Sequence, residues 1–175
     1  MKIELKNFKH YEKLSEETYC FTANLYVNGK FCGTAENRGI GGCTDYRPEH
    51  TEESRNIIKQ AEEYCLTLPP DKWEHNGKKY SHKMNLESYI DNLVADLVKA
   101  KYKQKDDHKM RKKMQKAILI GNDDEYRTIG FKIPLKEVME KHTDYFKKVL
   151  KEKLDKYAKD NYRLLNTNIP KQFLN

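Results

Sequence analysis

The chain has 175 residues, with 34 Lys+Arg against 27 Asp+Glu and a formal net charge of +7. Charged residues make up 35% and mean hydropathy is −1.00, so no window approaches the roughly 20 apolar residues of a bilayer span. The charged start Met1-Lys2-Ile3-Glu4-Leu5-Lys6 lacks the apolar segment of a signal peptide, which argues against membrane and secreted classes and makes a cytoplasmic protein the default.

The first expected element is a short strand over 2–8, with Ile3 and Leu5 on one face. Residues 19–27 form the best strand pattern, because Tyr19, Phe21, Ala23, Leu25 and Val27 alternate at period two. Asn28-Gly29 follows, and both residues tolerate the positive φ of a tight hairpin turn. A two-residue loop sets Leu25 opposite Cys32 and Tyr26 opposite Phe31 on a return strand over 30–37. Thr51 caps a helix carrying Glu52 and Glu53 at its positive end and Ile57, Ile58, Ala61, Tyr64, Cys65 and Leu68 along one stripe. Pro69-Pro70 ends it, and Asn76-Gly77 turns a small hairpin that pairs Trp73 with Tyr80.

Asn85 caps a long helix with Leu86, Tyr89, Ile90, Leu93, Val94, Leu97 and Val98 on its stripe. A third hairpin joins 117–120 to 126–133. Pro134 then opens a final helix whose stripe includes Leu135, Val138, Met139, His142, Phe146 and Leu150. His142 reads as a core histidine, and the tail 161–175 has no clear period. This order predicts α+β: a small antiparallel meander with hairpins packed against about three helices, the last two long. A single domain over 1–175 is expected, with the meander, Gly-rich loop and first helix in 1–68 and the basic hairpin-and-helix part in 69–175.

The charge is unevenly placed. Residues 1–97 carry 13 Lys+Arg and 16 Asp+Glu, whereas residues 98–175 carry 21 and 11, a balance of +10. The densest run is Lys99, Lys101, Lys103, Lys105, Lys109, Arg111, Lys112, Lys113 and Lys116. On a helix these residues point several ways. They serve either as a solvated face or as a contact for a polyanion, meaning nucleic acid or the acidic surface of a protein or nucleoprotein. Lysine dominates, which disfavours the bidentate base reading that arginine performs.

Arg38-Gly39-Ile40-Gly41-Gly42-Cys43-Thr44-Asp45-Tyr46-Arg47 is the most unusual stretch. Gly39, Gly41 and Gly42 permit close backbone approach, Arg38 and Arg47 flank them, Thr44 adds a hydroxyl and Tyr46 a stacking ring. A nucleotide or phosphate site and a plain sheet-to-helix crossing both fit. The stretch matches neither G-x-G-x-x-G nor a P-loop.

The runs 17–30 and 35–46, with Ala61-Glu62-Glu63-Tyr64-Cys65 and Leu164-Leu165-Asn166-Thr167-Asn168, resemble a group of uncharacterised small proteins of bacteriophages and gut-bacterial mobile elements. That resemblance implies a viral or mobile-element origin and the nucleic-acid-binding or counter-defence roles common there. It carries no established activity.

Cys20, Cys32, Cys43 and Cys65 form no close pair, so buried thiols are expected, not a metal site. Cys43 lies beside two arginines, which would lower its pKa. The acids Asp123-Asp124-Glu125 fall at a hairpin tip, where a solvated turn outweighs a magnesium site. No H-E-x-x-H or G-x-S-x-G pattern is present. No catalytic residues, metal or cofactor are therefore assigned. The expectation is a non-catalytic, cytoplasmic phage-type accessory protein that binds a polyanion through its basic half. Nucleotide binding at 38–47 is the alternative, and a small enzyme is the second.

Overall fold

A computed structural model describes residues 1–174, apart from the side chains of Trp73 and Lys159. The fold is α+β, with antiparallel sheets, hairpins and four α-helices among the described residues. No described helix is long and apolar enough to cross a membrane. The chain divides into two units, Met1–Lys101 and Tyr102–Asn175. The division falls inside the helix Leu86–Met114.

In the first unit, β1 (Ile3–His10), β2 (Phe21–Val27), β3 (Lys30–Asn37) and β4 (Asp45–Pro48) form a meander in chain order. Phe21, Ala23, Leu25 and Val27 of β2 are buried, as period-two alternation requires. Tyr19 precedes the strand and is exposed. Against this sheet packs α1 (Glu52–Leu66). Thr51 caps it by accepting from the Ser54 N–H at 3.1 Å, and Ile58, Ala61 and Cys65 are buried. Next come β5 (Asp71–His75) and β6 (Lys78–His82), a two-stranded hairpin in which Trp73 pairs with Tyr80. Then α2 (Leu86–Met114) begins, with Asn85 Oδ1 accepting from the Ser88 N–H at 2.7 Å. Its residues Leu86, Ile90, Val94 and Val98 join the core of β2, β3 and α1, and so the first half of α2 belongs with the meander. Each such fully buried aliphatic side chain contributes about 1.5–3 kcal/mol.

The hairpin register departs from expectation at one residue. Tyr26 faces Phe31 as predicted, but Leu25 faces Gly33. Cys32 is the extra residue of a β-bulge, which a simple two-residue loop rule does not foresee. It is buried and its thiol donates to the Leu25 carbonyl at 3.2 Å. Burial pushes its pKa up to about 11. Cys20 and Cys65 are likewise buried, whereas Cys43 is exposed.

In the second unit, β7 (Ala117–Gly121) is central, flanked by β8 (Tyr126–Gly130) and by β9 (Arg163–Leu164) from the tail. The expected final helix is two: α3 (Leu135–Lys141) and α4 (Thr143–Tyr157). The break falls at His142, whose φ of −132° and ψ of 44° leave the helical region. Thr143 Oγ1 donates to the Met139 carbonyl at 2.8 Å, so a hydroxyl takes the acceptor that the next turn's amide would use. His142 is turned to solvent, which overturns its reading as a core histidine. Ile118, Ile120, Leu135, Val138, Phe146, Leu150 and Phe173 form the core here.

Gly29 holds φ +81° with nothing within 4 Å of the place a Cβ would take. Gly29→Val therefore tests backbone conformation alone. It should lower the unfolding free energy by about 1 kcal/mol or more in a urea titration, with no change in the denaturant slope.

Candidate functional site

Loop 38–47 folds inward upon itself. Asn37 is buried and organises it: Oδ1 accepts from Thr18 Oγ1 (2.9 Å) and the Gly39 N–H (2.8 Å), while Nδ2 donates to the Gly42 carbonyl (2.9 Å) and Thr44 Oγ1 (3.1 Å). Gly39 sits at φ +86°, and its carbonyl accepts from the amides of Glu16 (2.9 Å) and Glu17 (3.0 Å). A Cβ there would stand 2.2 Å from the Leu14 carbonyl oxygen. At Gly41, φ +84°, it would meet Glu17 Oε2 at 2.2 Å. These glycines serve close packing between the loop and 14–18.

The other members of the expected phosphate site do not converge. Arg38 is exposed. Arg47 pairs with Asp45 at 3.3 Å and with Glu36 at 3.9 Å. Tyr46 is half-buried and donates its hydroxyl to Glu62 at 2.8 Å; desolvation first, then Glu62, hold that phenol protonated. Thr44 Oγ1 donates to Asp91 Oδ1 at 2.6 Å, and its amide to Glu87 Oε1 at 3.2 Å. An adjoining cleft of about 580 Å³ is lined by Glu16, Glu17 and Asp91 and by no lysine or arginine. Its charge opposes a phosphate. Nearby acids reverse the expectation for Cys43: Glu87, by hydrogen bond and charge, raises its pKa, with Asp91 and Asp45 adding to the effect.

The second unit has the opposite character. Residues 102–175 hold 19 Lys+Arg against 11 Asp+Glu, and 1–101 hold 15 against 16. Lys99, Lys101, Lys103, Lys105, Lys109, Arg111, Lys112 and Lys113 all lie on α2 with exposed side chains, and Lys116 follows in the turn, also exposed. At about 100° per residue, Lys105, Lys109 and Lys112 fall within roughly 60° of one another. Lys109 meets Asp106 at 3.4 Å, an exposed pair of small energetic weight. Lys113 donates to the Tyr126 hydroxyl and stands 5.0 Å from the centre of that ring. Arg111, Lys112 and Lys113 also occupy the last helical turn, where the helix dipole favours cations.

At this end of α2 lies a cleft of about 640 Å³, lined by Lys112, Lys113, Lys116, Thr128, Gly130 and Phe131 among others, and by no carboxylate. One buried residue sets the cleft's frame. Asn166 Nδ2 donates to the carbonyls of Met114 (3.3 Å) and Ala117 (3.0 Å), and its Oδ1 accepts from the Leu119 N–H at 2.6 Å. Asn168 adds a second donor to the Met114 carbonyl at 2.8 Å. The carbonyl of Met114, the last residue of α2, is thus taken up by the tail. Two of the three acids at the neighbouring hairpin tip are paired: Asp123 with Arg163, and Glu125 with Arg127 at 3.5 Å and with the Tyr162 hydroxyl.

Sequence reading found the lysines of this site but not Thr128, Gly130 or Phe131. A glycine and an aromatic at the end of a hairpin strand are the only local signal they carry. Comparison with protein-family models, curated proteins and solved structures finds no match for this chain.

Two outcomes test the loop. Gly39→Ala should cost about 2 kcal/mol or more, since it combines positive φ with a backbone clash, whereas Gly42→Ala, with no positive φ and nothing within 4 Å, should melt like wild type. Asp91 concerns pH. Desolvation, with Glu87 nearby, raises its folded-state pKa despite the Thr44 hydrogen bond. The folded state then holds its proton longer than the unfolded state, so this group erodes stability as pH rises from its unfolded value through its folded value. Asp91→Asn keeps an acceptor for Thr44 and should raise the melting temperature at pH 7, with the gain vanishing in acid below the ordinary aspartate range.

Proposed function

We propose that this protein is a non-catalytic nucleic-acid-binding protein that contacts phosphate backbones through the lysines at the C-terminal part of α2. The observation that carries this reading is the cleft bounded by Lys112, Lys113 and Lys116 without a carboxylate, next to the exposed Lys105 and Lys109 on the same helix. Solvation alone accounts for scattered lysines, but a concave, carboxylate-free lining concentrates positive potential where a phosphate fits. Lysine acts as a point charge, so the contact is strongly salt dependent and largely indifferent to sequence. We place that binding in an accessory or counter-defence setting, as the expected phage or mobile-element origin implies. The loop 38–47 is read as a crossing, because acids line the cleft beside it.

Replacing Lys105, Lys109, Lys112 and Lys116 together with Gln should leave the melting temperature nearly unchanged, as exposed lysines contribute little to stability. Nucleic-acid affinity should collapse. In wild type, log K against log salt should be steep and equal across unrelated sequences. Single Lys→Ala variants at contacting positions should each flatten that slope by about 1. Wild-type protein that binds neither duplex nor single strand at low salt overturns the reading, and capture of an acidic protein instead would redirect it.

A further inference from the structure

We propose that the cleft at the end of α2 selects single-stranded over duplex nucleic acid by seating one unpaired base against Phe131; this rests on the backbone-binding reading above. Four observations converge on it. The cleft is an open one of about 640 Å³, a volume that admits one nucleotide. Phe131 lines it while half-buried, and its ring is braced by Phe146 of the core with centroids 6.2 Å apart. A braced aromatic offers a stacking surface at little cost in side-chain freedom. Gly130, beside it, leaves open space where a side chain would stand. Beside Gln115 and Ala117, the remaining lining is phosphate chemistry: Lys112, Lys113, Lys116 and Thr128 of β8.

The arrangement combines the two parts that sequence-tolerant single-strand sites need, a positive track for the backbone and an aromatic face for the base. Duplex DNA keeps its bases stacked and can offer the cleft only phosphates. Thr128 and Gly130 lie two apart on β8, and Gly130 pairs with Ala117 of β7, which also lines the cleft.

The test compares a fluorescein-labelled oligo-dT with a labelled duplex of equal length by anisotropy titration at one salt concentration. Wild type should bind oligo-dT more tightly. Phe131→Leu keeps an apolar core contact but removes the ring, and should weaken oligo-dT binding by about tenfold or more while leaving duplex binding within about twofold. Gly130→Leu fills the cleft without strain, because Gly130 has no positive φ and nothing within 4 Å of an added Cβ. It should do the same with an unchanged melting temperature, which keeps the proposal testable if Phe131→Leu loosens the fold. Equal affinity for both probes, or Gly130→Leu leaving oligo-dT binding intact, overturns the single-strand proposal. In that case, loss of both probes in the four-lysine variant would leave the backbone reading standing. Wild type that binds neither probe overturns both.

Discussion

The buried amide of Asn166 is the contact on which the basic site depends. It reaches the Met114 and Ala117 carbonyls and receives the Leu119 amide. Those three groups lie at the end of α2 and the start of β7, so one side chain fixes the turn between them. Lys116 sits inside that turn, and Lys112 and Lys113 one helical turn before it. Their positions relative to β8 therefore follow from Asn166. An apolar residue here would leave buried donors and acceptors unmet, at about 1–3 kcal/mol each. That asymmetry makes a polar hub specific: other placements of the tail cost several unsatisfied groups at once.

Asn37 plays the same part in the meander. Its amide ties residue 18 to residues 39, 42 and 44, and through Thr44 the loop meets Glu87 and Asp91 of α2. The side chains of Asn37 and Thr44 and the Gly39 and Gly42 carbonyls are thus bonded within the first unit. Three glycines near two arginines suggest anion binding only while the partners of the arginines are unknown. Here Arg47 meets Asp45 and Glu36, and the open space nearby is acidic. The charge sorting is not a matter of totals alone. Each cleft has one sign because of the residues that line it, Glu16, Glu17 and Asp91 in one and Lys112, Lys113 and Lys116 in the other.

Lysine clusters are common on soluble proteins, and most serve only solvation. Concavity is what distinguishes this one. On a convex rod, lysines stay hydrated and interact with phosphates through high dielectric. Lys112 and Lys116 line an open cleft together with Ala117, Gly130 and Phe131, so apolar surface stands beside the charges. The aromatic adds a contact that salt does not screen.

Local physics made much of the fold legible in the sequence. The alternation 21–27, the turns at Asn28-Gly29 and Asn76-Gly77, the caps Thr51 and Asn85 and the basic run all act over a few residues, so short patterns specify them. The bulge at Cys32, the helix break at His142 and the strand β9 escaped, because each is settled by partners that a local pattern does not contain. For the site, composition along the chain determined that positive charge would concentrate in the second half. Only the tertiary structure decided that three of those lysines would line one cleft with Thr128, Gly130 and Phe131. The physical reason is distance in sequence: Asn166 closes α2 from about fifty residues away, and no periodicity announces a contact made by a single buried amide.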